Sequence, residues 1–364
     1  MNLNNKTYFP LLDWLRFFLA FIVLIVHMGI IENEIIASFA VEIFFALSGW
    51  LIGSILMKTN TSQLNRFYFN RAIRIWLPYF ISFVLIIVAS LLHKDELTKV
   101  WFEVVFYKLT FVYNWFGTPM LAAHVNEFPL QGTGNHFWSV NIEEQFYLFA
   151  PLLLVLTNRR FGKSLIVWSF FGLLAYAFQM RGVSIIFGVI ASIVASQYGN
   201  FYEKKMAKFV MFVIIFLSLF AFQQGNDYML IAPWCAVAVV LFLAIEGKQG
   251  AIGKFAGGIS YELYINAWIG GFLANALFKL NQLQNIEIYY KQLITITLSI
   301  MVATILYYLI DKRILDRRDE FFDERKGYLV KQYAYYSLFV GIIVGIAFKF
   351  ACDAETNPVT VAIR

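Results

Sequence analysis

Runs of about 20 apolar residues recur along this chain, and that recurrence decides what it can fold into. In lipid every backbone N–H and C=O must be bonded within the structure, so runs of this length cross only as helices. Of the 364 residues, 60% are apolar and 14% charged, which excludes an ordinary soluble domain. The expected fold is all-α, a polytopic transmembrane helical bundle. The apolar runs predict ten core spans, over 11–31, 35–57, 74–92, 137–157, 164–180, 183–199, 207–223, 228–246, 257–279 and 291–311, and one extra C-terminal span over 333–350.

Most of the 29 lysines and arginines share one side if the N-terminus is cytoplasmic, as the positive-inside rule prefers. Eleven crossings then put the C-terminus outside. Residues 100–116 are apolar enough to cross, but Glu103 and Lys108 interrupt them. A crossing there would put the loop of Arg66, Arg71 and Arg74 opposite that of Arg159, Arg160 and Lys163. The segment is therefore expected to be interfacial or re-entrant. The two cysteines, Cys235 and Cys352, form no disulfide or metal pattern, and no metal is expected.

The first span holds two ionisable residues that a crossing does not need, Arg16 and His27. Eleven helical steps return to within about 20° of one direction, so the two share a face about 16 Å apart. Ionisable groups inside a span usually face a bundle interior or a wet cavity. The structural alternative has Arg16 snorkelling to the headgroups and His27 bonding a neighbouring helix.

Three further carboxylates fall at a similar depth to His27 once the spans are oriented. Glu42 lies about 10 Å into the second span, and Glu143 and Glu144 about 9–10 Å into the fourth. An imidazole beside a carboxylate suits general base catalysis, because the carboxylate fixes the tautomer and stabilises the imidazolium. Glu144 is the favoured partner, with Glu42 as the other choice.

At the opposite face, RFYFNRAIRIWLPY brings Arg66, Arg71 and Arg74 to the start of the third span. Arg71 and Arg74 project from one side of the helix, and guanidinium forks bind phosphate bidentately. Arg16 would extend such a site inward. An anion-binding mouth and a His–carboxylate site fit a long, phosphate-headed donor, and an acyl thioester of coenzyme A has that shape. Gly49 and Gly53 have the spacing that lets helices approach closely, which makes packing their expected role.

These residues carry a resemblance. The chain is similar to the acyltransferase-3 family of bacterial integral membrane acyltransferases, from LDWLRFFLAFIVLIVH through VEIFFALSGWLI, RFYFNRAIRIWLPY and HFWSVNIEEQFYLFAPLLL to ISYELYINAW. The resemblance implies transfer of an acyl group, usually acetyl, from cytoplasmic acyl-coenzyme A to a hydroxyl of a surface glycan or lipid-linked sugar at the outer face. The setting it implies is a bacterial inner membrane, with acetyl-coenzyme A as co-substrate. O-antigen lipopolysaccharide is one candidate polysaccharide among several, and no nucleic acid is involved.

Carried over by residue, Arg16 and His27 take the family's first-helix positions, and Arg71 and Arg74 its arginine pair. Glu143 and Glu144 take its paired glutamates, and Glu42 its acidic position before Ser48-Gly49. Trp138, Ser139 and Ser48 fall on the substrate side. A covalent acyl-enzyme on Ser48 or Ser139 is the alternative to direct transfer. The chain departs from the pattern at Asn266-Ala267-Trp268, where many members have a histidine. The expected division is an acyltransferase domain over 1–332 and an extra helix with a short tail over 333–364, which in some members leads to an external SGNH-type domain. The reading from another class is a proton-coupled transporter or flippase for a glycan or anion, with His27 and the glutamates as its relay.

Overall fold

The computed structural model describes residues 8–280 and 286–356, and no strand occurs among them. In chain order the longer helices are α1 Pro10–His27, α2 Glu34–Lys58, α3 Leu64–His93, α4 Lys99–Leu109, α5 Phe137–Pro151, α6 Leu165–Ala177, α7 Val183–Tyr198, α8 Lys205–Gln223, α9 Tyr228–Leu243, α10 Ala251–Phe278, α11 Ile288–Leu306 and α12 Glu324–Thr356. Their starts follow local chemistry. Pro10 occupies the first turn of α1, where its missing N–H costs nothing. Asn33, Thr98 and Asp227 cap α2, α4 and α9 by accepting from Ile35, Trp101 and Met229 backbone N–H groups at 3.0, 3.2 and 2.9 Å.

Seven described stretches are long and apolar enough to cross a membrane: 10–27, 34–58, 61–93, 137–156, 205–223, 288–316 and 324–350. This is a multi-pass membrane protein. The expected spans over 164–180, 183–199 and 228–246 are helices of 13, 16 and 16 residues. At 1.5 Å per residue they reach about 20–24 Å, short of a hydrocarbon core of about 30 Å. The span expected over 257–279 falls on α10 and ends one residue past it; α10 is 28 residues long but not among the seven. Segment 100–116 contains all but the first residue of α4, which at 11 residues is about 16 Å long and too short to cross.

The chain folds as two compact units, one of Met1–Ser62 and Ala150–Arg317, the other of Gln63–Phe149 and Arg318–Arg364. In the first, α2 packs most extensively on α7, and α10 on α1 and α11. The approach of α2 to α7 is backbone on backbone. A Cβ built on Gly49 would overlap the Ile185 carbonyl oxygen, and one on Gly188 the Ala46 carbonyl oxygen. The expected packing role of Gly49 is thus visible in the contact itself.

The second unit is built on α3, which carries Pro78 in its interior, with α4, α5 up to Phe149, and α12. Helices α3 and α5 run antiparallel. The Asn141 amide donates to the Tyr79 hydroxyl at 3.2 Å, and the Tyr68 hydroxyl to the Leu148 carbonyl at 3.5 Å. The 100–116 segment is tied to α5. Gln145 donates to the Phe111 carbonyl at 2.7 Å, and the Tyr113 N–H to Asn141 at 3.0 Å. Phe111 adopts φ 57°, uncommon for a bulky residue, and its carbonyl is the one Gln145 holds. Lys108 is buried there, donating to the Thr133 carbonyl at 3.3 Å with the Tyr113 and Phe137 rings at 4.9 and 5.3 Å.

Helix α12 is one element of 33 residues, beginning nine residues before the span expected over 333–350. It belongs to the same unit as α3. The Tyr335 hydroxyl donates to the Leu148 carbonyl at 2.7 Å, and Gly341 packs on Thr110.

Beyond the end of α3, Asp95 closes a small network. It accepts from the Ser90 hydroxyl at 2.5 Å and the Leu130 N–H at 2.7 Å, and lies 2.7 Å from His93 Nδ1. Burial alone would raise its pKa. The bonds from Ser90, His93 and Leu130 outweigh that and hold the carboxyl below its usual range.

Candidate active site

In the second unit, α3 presents Arg66, Arg71 and Arg74 within about two turns. Arg66 turns away to pair with Asp319 Oδ1 at 2.8 Å, its guanidinium 5.5 Å from the Phe322 ring centre. Arg74 is exposed and Arg71 half-buried. Arg71 has its Nε buried and without a hydrogen-bond partner. The charges close enough to act on it are Arg74, Tyr147, Glu144 and Arg318.

Glu144 is 2% exposed and accepts from the Trp76 indole N–H at 2.6 Å. Its other oxygen, Oε1, is buried with no partner. Trp76 stands five residues from Arg71, about 7.5 Å along α3. The sequence reading set the arginine mouth and the glutamate level well apart. The structure makes Arg71 and Glu144 electrostatic neighbours. Glu143 is half-buried and accepts from the Tyr147 hydroxyl at 3.2 Å. Ser139 donates to the His136 carbonyl at 2.9 Å, and Trp138 is half-buried one residue earlier.

The first unit treats its ionisable groups differently. Arg16 pairs with Asp13 at 2.9 Å, and Asp13 also accepts from the Tyr8 hydroxyl. Glu42 is 5% exposed and accepts from the Ser184 hydroxyl on α7 and from the Tyr228 hydroxyl on α9, the latter at 3.4 Å. These partners point it toward α7 and α9. Ser48, two turns on, is half-buried. His27 is exposed as the last residue of α1, and the carboxylate acting on it is Glu34, the first residue of α2. Asn266, at the position of the family histidine, donates to Glu262 at 2.6 Å.

Sequence reasoning missed three residues of this arrangement. Glu34 stands in a short polar link that reads as a helix cap. Trp76 follows the arginine pair in the string R-I-W, and only its depth on α3 reveals its carboxylate partner. Arg318 lies in a charged run that reads as topological anchoring.

Chemically, the second unit offers open cationic donors beside a carboxylate with one free oxygen. The first offers an accessible imidazole with an acidic neighbour. Oxyanion binding suits the former and proton transfer the latter.

Comparison with known proteins agrees with the resemblance seen in the sequence. The profile described as an acyltransferase domain, of the acyltransferase-3 type, matches residues 9–312. A protein of Staphylococcus aureus strain COL, provisionally named an O-acetyltransferase, is 30% identical over 200 residues, covering 49% of this chain and 31% of that protein. The O-acetyltransferase OatA of Staphylococcus aureus strain NCTC 8325 is 29% identical over 172 residues, covering 46% and 28%. The chain therefore spans less than a third of the length of these relatives. No solved structure matches it.

Proposed function

Since this chain belongs to the acyltransferase-3 family, we propose that it is a membrane O-acyltransferase carrying an acyl group, acetyl in the first instance, from acyl-coenzyme A to a hydroxyl of a surface glycan or lipid-linked sugar. The observation that carries the donor half is Arg71, whose buried Nε lacks a partner beside a second arginine. Such a guanidinium awaits an acceptor, and a phosphate of the donor supplies several acceptor oxygens at once. Arg74 adds an exposed second fork. Arg16, neutralised by Asp13, contributes less to anion binding than its position in the sequence suggests.

His27 is the general base. It takes the acceptor hydroxyl's proton as that oxygen attacks the thioester carbonyl. Collapse of the tetrahedral intermediate forms the ester and expels the coenzyme A thiolate, which recovers the proton from the imidazolium. Glu34, the carboxylate acting on His27, stabilises that cation. Base catalysis of this kind contributes about 10²–10⁴-fold. Glu144, with its free oxygen, and Glu143 position the reacting groups on the donor side. Glu42 is assigned a supporting role through Ser184 and Tyr228. Trp138, Ser139 and Ser48 are assigned to substrate contacts.

By charge distribution the N-terminus is cytoplasmic and transfer occurs at the outer face of a bacterial inner membrane. The names of the relatives support acetyl as the group and oxygen as its destination.

The test is incorporation of label from acetyl-coenzyme A into extracted surface glycan, using membranes at matched expression. Wild type should label the glycan, and His27→Ala should reduce labelling by about two orders of magnitude or more. Label undiminished in His27→Ala removes that residue as the base. No label from wild type across a broad acceptor set favours the transporter reading.

A further inference from the structure

The expected donor site consists of Arg71 and Arg74, but a third guanidinium stands with them. Arg318 lies after the residues that match the family profile, at the head of the short helix Arg318–Phe321. Like Arg74, it is close enough to Arg71 to act on it as a like charge. Its own Nε is buried without a hydrogen-bond partner.

The segment is held firmly against the start of α3. Asp319 accepts from Arg66 at 2.8 Å, and Phe322 meets the Phe69 ring edge-on at 5.4 Å while lying under the Arg66 guanidinium. Glu324 accepts from the Asn65 amide at 3.0 Å. Contacts from Asn65, Arg66 and Phe69 therefore fix the backbone that carries Arg318.

The charge balance of this cluster does not close. Arg74 and Arg318 act on Arg71 as like charges, against the carboxylate of Glu144. Asp319 lies 3.8 Å from the Arg318 Nε but is already paired with Arg66. Two buried guanidinium donors without acceptors are costly, and an anion with several oxygens relieves both at once.

From this geometry we infer that Arg318 is a third donor-binding residue, contacting a phosphate of the acyl-coenzyme A nucleotide and discriminating it from thioesters that lack phosphate. The inference rests on the reading that Arg71 and Arg74 hold that nucleotide. Arg66 is then a positioning residue, holding Arg318 in place through Asp319.

Calorimetric binding of two probes to the purified full chain tests it: coenzyme A, which carries the phosphates, and pantetheine, which lacks them. The variants are Arg71→Ala, Arg318→Ala, Arg318→Lys and, as a control for charge alone, the exposed Arg325→Ala. Wild type should prefer coenzyme A. Loss of one charge-assisted bond should weaken coenzyme A binding about tenfold or more in Arg318→Ala, leave pantetheine unchanged, and be partly restored in Arg318→Lys. Arg325→Ala should bind as wild type. Should Arg71→Ala lose the preference while well-folded Arg318→Ala or Arg318→Lys keeps it in full, the inference falls and the arginine-pair reading stands. Equal weakening toward both probes assigns Arg318 a structural role and also overturns it. A wild type without preference for coenzyme A overturns both.

Discussion

Two clusters of charge, one in each unit, are handled in opposite ways. In the first, Glu42 is bonded by hydroxyls from two other helices, and Arg16 is bonded to Asp13. In the second, Arg71, Arg318 and Glu144 each keep a buried polar atom with no partner. Polar groups in an apolar interior are normally paired, because leaving one unpaired costs about 1–3 kcal/mol. A closed network therefore reads as architecture, and an open one as a place awaiting a ligand. The lesson is that buried charge by itself does not identify a site. The state of its hydrogen bonds does.

That contrast can be broken most violently at the packing of the first unit. Gly49→Val would drive a side chain into the backbone of α7, with no flexible group to yield. We expect loss of folded protein in detergent, followed by size-exclusion profile, and normal behaviour would refute the close approach. Next in size is Glu144→Gln, which keeps an acceptor for Trp76 but removes the charge. Transfer should fall by about two orders of magnitude with a melting temperature close to wild type. A large loss of stability would make Glu144 architectural instead.

Glu42→Leu should show the reverse pattern. It strands the Ser184 and Tyr228 hydroxyls, costing about 2–6 kcal/mol if each loss is of the usual size, and reads out as a lowered melting temperature. Tyr228→Phe, removing one donor, should cost about 1 kcal/mol.

The smallest effect is a pH dependence in the second unit. Asp95 has its folded-state pKa depressed, so its contribution is present above the unfolded value of about 3.9 and disappears as pH falls through the lower folded value. Asp95→Asn should flatten the stability profile below about pH 4 and leave its shape near neutrality unchanged. An unaltered acid limb would show that the network of Ser90, His93 and Leu130 does not favour the charged form.

Much of the fold was legible because span length is a one-dimensional property. The runs over 35–57 and 207–223 became α2 and α8 nearly to the residue. What a side chain faces is three-dimensional, and there the sequence was weaker. Depth placed Glu42 level with His27, but its direction depends on which helices around α2 supply its hydrogen-bond partners, and those are α7 and α9. Arg318 was invisible for a different reason. It sits among cations whose shared explanation is topology, and only the docking of Asp319 and Phe322 on α3 separates it from them. Helix α12 was read as an appendage because apolar periodicity starts late in it, whereas its tyrosines and glycines pack within the unit that holds the arginines.

Pro78 lies four residues after Arg74 in α3. Without an N–H it cannot donate to the Arg74 carbonyl, the partner that helical geometry would assign it. Arg74 thus carries two opposite handles, a cation on its side chain and a carbonyl released from the helical ladder. A released carbonyl in a span invites hydration, and a hydrated notch beside a cation eases the stepwise shedding of water from a polyanion. The gap that Pro78 leaves in the helical ladder makes this turn easier to wet than a fully bonded one.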